Sequence, residues 1–521
     1  MRAEAKEHGS AEGAPSRRWL ALGVLCISLL IVSLDNTILN VALPTLVRKL
    51  DASSSDLQWI VDAYVLVFSG LMLVSGSLAD RVGRKRTFLA GLVLFAGCSA
   101  WAALSGSVGH LIAARASMGV GGALIMPSTL AIITNTFTDH QERQRAIGLW
   151  AATSGAGIAL GPIVGGLLLD HLWWGSVFLV NVPIAAVGII LAVPFVPDSR
   201  NPRARRPDLI GSMLSIVGLG LLLYAIIEAP VKGWSSPAVA GSGTAGLAVL
   251  GGFVLWERSS SHPMLNLGFF RNRSFSAPIV SVSMMMFGLF GALFVLTQFL
   301  QFQLDYTPLQ AGVRVLPAAG AIVVVAPLSG RLVRTIGTRM TITVALLAAT
   351  GGFFQISGAT VHTTYAQVVA GMVLLGVGAG LVMPAATGSV MGSLPEEHTG
   401  VGSATNGTFI QTGGALGVAV IGSLLSNRFE DRVTATLAPL RLPHPVEQAI
   451  GNSLGEALAV AQHLGGAVGA AIAGAARSAF VSGMDLSLTA AGFVVLAAAL
   501  IGLVTLPGKP ARRRAGGRDV Q

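Results

Sequence analysis

Apolar runs of about 18 to 25 residues, each long enough to cross a hydrocarbon core of about 30 Å as a helix, alternate along this chain with short segments that hold most of its charge. The pattern predicts an all-α membrane protein, because a helix satisfies its own backbone inside lipid. Fourteen spans are predicted, at 19–43, 57–79, 87–107, 109–134, 145–169, 176–197, 209–230, 239–256, 276–300, 309–333, 339–359, 365–391, 402–426 and 486–507. The eighth is the least regular, being rich in Gly and Ala. One long stretch between spans, 427–485, is predicted as an outer loop whose Ala- and Gly-rich part, 455–480, suits an amphipathic helix on the outer surface.

Composition agrees. Of 521 residues 53% are hydrophobic and 11% are charged, against about 25% charged in soluble domains. The 65 glycines suit close packing between membrane helices. Cys26 and Cys98 both fall inside apolar runs and read as small buried hydrophobes, with no metal cluster or disulfide framework implied. The net charge of +10 does not mark a nucleic-acid binder, since the basic residues are not gathered on one element among aromatics. They follow topology instead. With the N-terminus inside, 25 of the 34 basic residues fall on inner segments and seven on outer ones, an asymmetry that sets orientation. An even number of spans then puts both termini in the cytoplasm. A polar tail precedes the first span, with no cleavable signal peptide apparent.

The chain also repeats itself. Val120-Gly121-Gly122-Ala123-Leu124-Ile125-Met126-Pro127 in span 4 returns as Val377-Gly378-Ala379-Gly380-Leu381-Val382-Met383-Pro384 in span 12, 257 residues on. Gly76 through Arg86 is echoed by Gly330 through Arg339 at an offset near 254. Internal repeats are how many secondary transporters are built, with the substrate site between the halves. The organisation expected is a tail 1–18, a six-helix half 19–197, an inserted helix pair 198–257, a second six-helix half 258–507 and a tail 508–521.

Several residues carry candidate chemistry. Gly76-Ser77-Leu78-Ala79-Asp80-Arg81-Val82-Gly83-Arg84-Lys85-Arg86 lies in the inner loop between spans 2 and 3. Its glycines allow a tight turn, and Asp80 among Arg81, Arg84, Lys85 and Arg86 can hold ion pairs that lock one conformation and release another. In span 5, Gly157, Gly161 and Gly165 share one helix face, and Pro162 favours a kink. Intramembrane ionisable residues are costly and mark function by default. Asp35 in span 1, Asp62 in span 2 and Arg115 in span 4 fall at a shared depth in the outer half of the membrane. Two carboxylates with one arginine leave a charge that a proton or a cationic substrate can meet. Asp35 and Arg115 are therefore assigned to proton coupling, and Asp62 to binding a lipophilic cation. Gln301, near the end of span 9, is a candidate cavity residue, and Met286, within Met284-Met285-Met286-Phe287, is a candidate adaptable lining for hydrophobic substrates.

The loop after span 2 resembles the signature of the major facilitator superfamily. Over spans 1–14 the chain is similar to its fourteen-helix drug:proton antiporter branch. The resemblance is carried by Leu34-Asp35-Asn36-Thr37-Ile38-Leu39-Asn40-Val41-Ala42-Leu43-Pro44, by Arg115 with Gly119, Gly121 and Gly122, and by Gly157, Gly161-Pro162 and Gly165-Gly166. Trp59-Ile60-Val61-Asp62-Ala63-Tyr64 and Ser176-Val177-Phe178-Leu179-Val180-Asn181-Val182-Pro183 look like the antiseptic-resistance subgroup, exporters of quaternary ammonium compounds and cationic dyes. Met118 departs from the glutamine common in the span 4 signature, and span 13 carries Asn406, Gly407 and Gln411 where subgroup members can carry carboxylates. The resemblance implies a two-half fold with an inserted pair, export rather than uptake, a cell-membrane location and coupling to a proton gradient with no other cofactor. Small-molecule drugs, protons and membrane lipids are the expected partners, and a monomer the expected unit. The alternatives are a dedicated exporter of one metabolite or self-made antibiotic, and a non-transporting membrane sensor. No phosphate-cradling lysine loop or metal cluster points to an enzyme or an ATP-driven pump.

Overall fold

The computed structural model describes residues 15–200, 207–260, 263–394, 399–440 and 442–506. The predicted tail 508–521, residues 1–14 of the predicted tail 1–18, and Arg203, Arg205 and Arg206 lie outside the described residues. Everything described is helix or short connection. In chain order the helices are α1 (Pro15–Leu50), α2 (Ser54–Val82), α3 (Arg84–Ala103), α4 (Val108–Thr136), α5 (His140–His171), α6 (Ser176–Leu179), α7 (Asn181–Phe195), α8 (Leu209–Lys232) and α9 (Pro237–Ser259). They continue with α10 (Arg273–Gln298), α11 (Pro308–Ser357), α12 (Tyr365–Gly392), α13 (Thr399–Leu437), α14 (His444–Asn452), α15 (Leu454–Leu464) and α16 (Gly466–Thr505). Among the described residues, twelve helical segments are long and apolar enough to cross a membrane. The chain is a multi-pass, all-helical membrane protein.

Helix starts follow capping chemistry. Ser53 and Asp56 close a capping box on α2, and Thr307 and Gln310 do so on α11, each pair satisfying backbone donors that a helix leaves free. The inner turns use glycine. α2 ends and α3 begins on Gly83, at φ 126°, a conformation that excludes most side chains. Gly337, 254 residues later, breaks the 50-residue α11 at φ 88°. The two echoed sequence segments thus share a backbone device.

Helices pack as neighbours through glycine. α3 meets α4 where Gly121 faces the Phe95 backbone, and the second part of α11 meets α12 where Gly378 faces Ala345 and Ala349. α1 packs on α5, α2 on α4, and α10 on α13. Contacts between the expected halves are made by α2 with α13 and by α5 with α11. α8 lies against both α2 and α13, with Ser212 Oγ donating to the Gly70 carbonyl at 3.0 Å, while α9 is mostly exposed to the surroundings of the bundle.

The expected loop 427–485 is largely helical. α13 runs on to Leu437, α14 and α15 follow, and α16 begins at Gly466. Hydropathy falls where a helix leaves the membrane, but helix propensity does not, and this stretch is rich in alanine. Residues 455–480 therefore form most of α15 and the first turns of a long α16. α15 seats Gly455 between Val47 of α1 and Phe302 after α10.

Candidate functional site

α1, α4 and α7 bring together the first group of predicted residues. Asp35 is 0% exposed and Arg115 1% exposed, with Arg115 Nη1 2.5 Å from Asp35 Oδ2. Arg115 Nε donates to the Ile60 carbonyl at 3.1 Å, and its guanidinium lies 4.4 Å from the Tyr64 ring centroid and 6.0 Å from that of Phe178. Asn181 Nδ2 donates to the other Asp35 oxygen at 3.1 Å and to Ser99 Oγ at 3.0 Å. Removing one member of such a buried pair strands the other charge, so the two residues are locked to each other's ionisation.

Asp62 does not join them. It is on α2, 0% exposed, and neither carboxylate oxygen has a hydrogen-bond partner among the described residues. Ile60 and Tyr64, the α2 residues that touch Arg115, each stand two positions from Asp62, about 200° around the helix. Asp62 therefore points away from the pair. Its own stripe carries Gln58, packed on Gly422, Ser69, whose carbonyl accepts from Thr408 Oγ1 at 3.5 Å, and Met72, packed on Gly407. That stripe is the α2–α13 seam. Gln58 Oε1 on that stripe, and Thr405 Oγ1 and Asn406 Oδ1 on α13, are further buried atoms without partners among the described residues, the Asn406 amide donating to Thr387 Oγ1 of α12 at 3.1 Å. The three ionisable residues form a closed pair and a lone carboxylate on opposite sides of α2.

The span 5 glycines line α1. A Cβ on Gly157 would sit 2.6 Å from Ser33 Cβ, one on Gly165 2.7 Å from Ile38 Cγ1, and one on Gly161 would overlap Thr37 Oγ1. Pro162 turns the other way, its carbonyl against Gly312 of α11. α5 thus couples α1, which carries Asp35, to the α11 helix across the seam. At the turn after α2, Arg84 Nε meets Asp80 Oδ1 at 2.7 Å and Arg84 Nη1 donates to the Ala131 carbonyl of α4 at 3.2 Å. Gly76 faces Pro127 of α4, and Arg81 is exposed.

Gln301 sits in a π-helical turn, Phe299–Gln303, a local widening frequent at functional sites. Its Nε2 donates to the Val41 carbonyl at 2.8 Å and it borders an open cleft of about 710 Å³ with Arg48, Asp170 and Tyr306. Met286 is elsewhere. It is buried in the apolar core and does not line that cleft, because α10 is wedged there, with the Phe287 carbonyl on Gly417 and Gly288 on Phe353 and Val495.

Sequence reasoning assigned no role to Asn181, Ser99 or Tyr64. Asn181 is a polar residue inside an apolar run, two positions before Pro183 in the Ser176–Pro183 motif, and that was the available signal.

A helical bundle with two echoed halves and a buried carboxylate–arginine pair is the frame of a secondary transporter. The Major Facilitator Superfamily model matches residues 25–418, and the chain belongs to that family. It is 36% identical to the multidrug efflux pump LfrA of Mycolicibacterium smegmatis, over 94% of this chain and 97% of that one. It is 34% identical to the tetracenomycin C resistance and export protein of Streptomyces glaucescens, covering 97% and 95%. Its fold matches a bacterial homologue of the human lysosomal transporter Spinster, in an inward-facing and occupied conformation, with a TM-score of 0.66 at 15% identity, covering 95% and 97%.

Proposed function

We propose that this protein exports lipophilic, cationic drugs or antibiotics from the cytoplasm in exchange for protons. The observation that carries the export reading is similarity across more than nine-tenths of the chain to proteins named as drug or antibiotic exporters. The Asp35–Arg115 pair supports proton coupling: it is neutral as a unit, and a proton on Asp35 would release Arg115. Asp62 supports the cation. A bare carboxylate buried without a partner is expensive, and a proton or a cationic drug relieves the same cost, so the two compete. Gln301 would meet the substrate near the exit, and Met286 would do so only once the seam at α13 parts. A dedicated exporter of one antibiotic is the second reading, favoured by the relative named for tetracenomycin C.

Fourteen spans are part of this proposal. The break at Gly337 supports counting α11 twice, and the 32-residue α5, whose apolar part is Ala159–His171, supports adding it to the twelve segments. The division into halves 19–197 and 258–507 with an inserted pair 198–257 is supported by the matched glycines Gly83 and Gly337. The basic residues support termini in the cytoplasm. A monomer as the working unit is part of the same proposal.

Expression in an efflux-deficient host tests the reading with a panel of cationic, zwitterionic and neutral drugs. Asp62→Asn is nearly isosteric and breaks no described hydrogen bond. It is expected to lower resistance to cationic compounds by about tenfold, a loss of about 1.4 kcal/mol of binding, with neutral drugs unchanged. Resistance that changes for neutral drugs alone would contradict the cation assignment.

A further inference from the structure

We infer that Asn181 is a positioning residue for the ion pair, holding Asp35 in its charged, Arg115-facing form and so setting the pH at which the transporter exchanges its proton. The inference rests on the proposed coupling role of Asp35. Its ground is the direction of a hydrogen-bond chain. Ser99 Oγ donates its one hydrogen to the Phe178 carbonyl at 2.8 Å, so toward Asn181 it can only accept. That fixes the amide. Nδ2 must face Ser99 and Asp35, at 3.0 and 3.1 Å, and Oδ1 is left without a partner among the described residues. A flipped amide would set two oxygens against each other and leave Ser99 with no hydrogen to give.

Both Asp35 oxygens therefore receive an N–H, one from Arg115 and one from Asn181. A proton arriving on Asp35 has to displace a donor. The bond from the neutral amide is weaker than the bond from the guanidinium, so the Asn181 side yields first. The backbone fits this use. Pro183 lacks the donor that would bond the Leu179 carbonyl, so the ladder is one bond short where α6 meets α7, although Val180 keeps helical dihedrals (φ −57°, ψ −27°), and Asn181 stands at that gap. The titratable groups that face Asp35 among the described residues are Arg115 from α4 and Tyr64 from α2. Asp62 is on the far side of α2, and α5 presents Gly157, Gly161 and Gly165 to α1.

The test is the pH profile of proton-driven cationic-dye uptake into inverted vesicles, for wild type, Asn181→Ala, Ser99→Ala and Asp35→Asn. Without the amide donor the charged form of Asp35 is less favoured, so the midpoint for Asn181→Ala should move about one unit toward alkaline pH, tenfold in proton concentration. Ser99→Ala, which frees the amide to turn, should move it less, in the same direction, and it carries the test if Asn181→Ala does not reach the membrane. A lower rate at every pH with an unmoved midpoint in both variants would mean packing alone and overturn the inference. Should Asp35→Asn keep wild-type pH dependence, the coupling role itself fails, and the inference with it. Should Asp35→Asn lose that dependence while the Asn181 and Ser99 midpoints stay put, only the inference fails.

Discussion

Asp35→Asn is expected to abolish proton-driven drug accumulation in inverted vesicles and to lower the thermal stability of the protein in detergent. The substitution keeps the shape of the side chain and removes the charge that faces Arg115 at 2.5 Å. A guanidinium that is 1% exposed is then left with the Ile60 carbonyl and the Tyr64 ring as its main company. Breaking a buried pair by one partner costs about 3–5 kcal/mol. The two effects separate in the double variant Asp35→Asn/Arg115→Gln. With no stranded charge it should recover most of the lost stability, and with no proton site it should stay inactive. Thermal unfolding and vesicle uptake, measured on all three proteins, check both halves of the expectation. Normal transport by Asp35→Asn would remove the coupling role.

Gly161→Val should be nearly as severe for a different reason. A Cβ at Gly161 overlaps Thr37 Oγ1 and stands 3.0 Å from the Leu34 carbonyl, and Thr37 Oγ1 is already held near the Leu34 and Gly157 carbonyls. Backbone on both sides cannot move aside without parting α5 from α1. Overpacking of this kind costs about 1–3 kcal/mol, and here it falls on the helix that links α1, which carries Asp35, to α11 through Pro162 and Gly312. Uptake should drop by at least about tenfold, equivalent to about 1.4 kcal/mol, while Gly148→Ala in the same helix, where a Cβ meets nothing within 4 Å, should transport as wild type. Equal activity of the two variants would show that α5 does not need its close seat on α1.

What could be read in advance follows from range. Helices were legible because their apolar length and capping residues are local. So was the turn at Gly83, since its echo near Gly337 repeats within one chain. That Asp35, Asp62 and Arg115 fall inside long apolar helices was also legible, because it is a residue count along each helix. Their azimuth was not: whether Asp62 meets Arg115 depends on how α2 is rotated between α4 and α13, and Ile60 and Tyr64 turned out to hold the arginine. Asn181 reaches Asp35 from 146 residues away, through tertiary packing that no local pattern carries. Met286 read as lining because a run of methionines suits adaptable surfaces, but the same softness fills a core. Over 427–485 the helix at 455–480 was legible from its alanine, while the continuation of α13 to Leu437 and the short α14 were not, because hydropathy reports the membrane and not the helix.

The central claim is the exchange of a proton for a cationic drug, and the most direct test is accumulation of a fluorescent cationic dye in inverted vesicles that contain the wild-type protein. With an imposed pH gradient, acid inside, the account expects dye to accumulate, to leave when a protonophore collapses the gradient, and to do neither in vesicles carrying Asp35→Asn. Accumulation of the same size with no gradient, or undiminished by the protonophore, would contradict it.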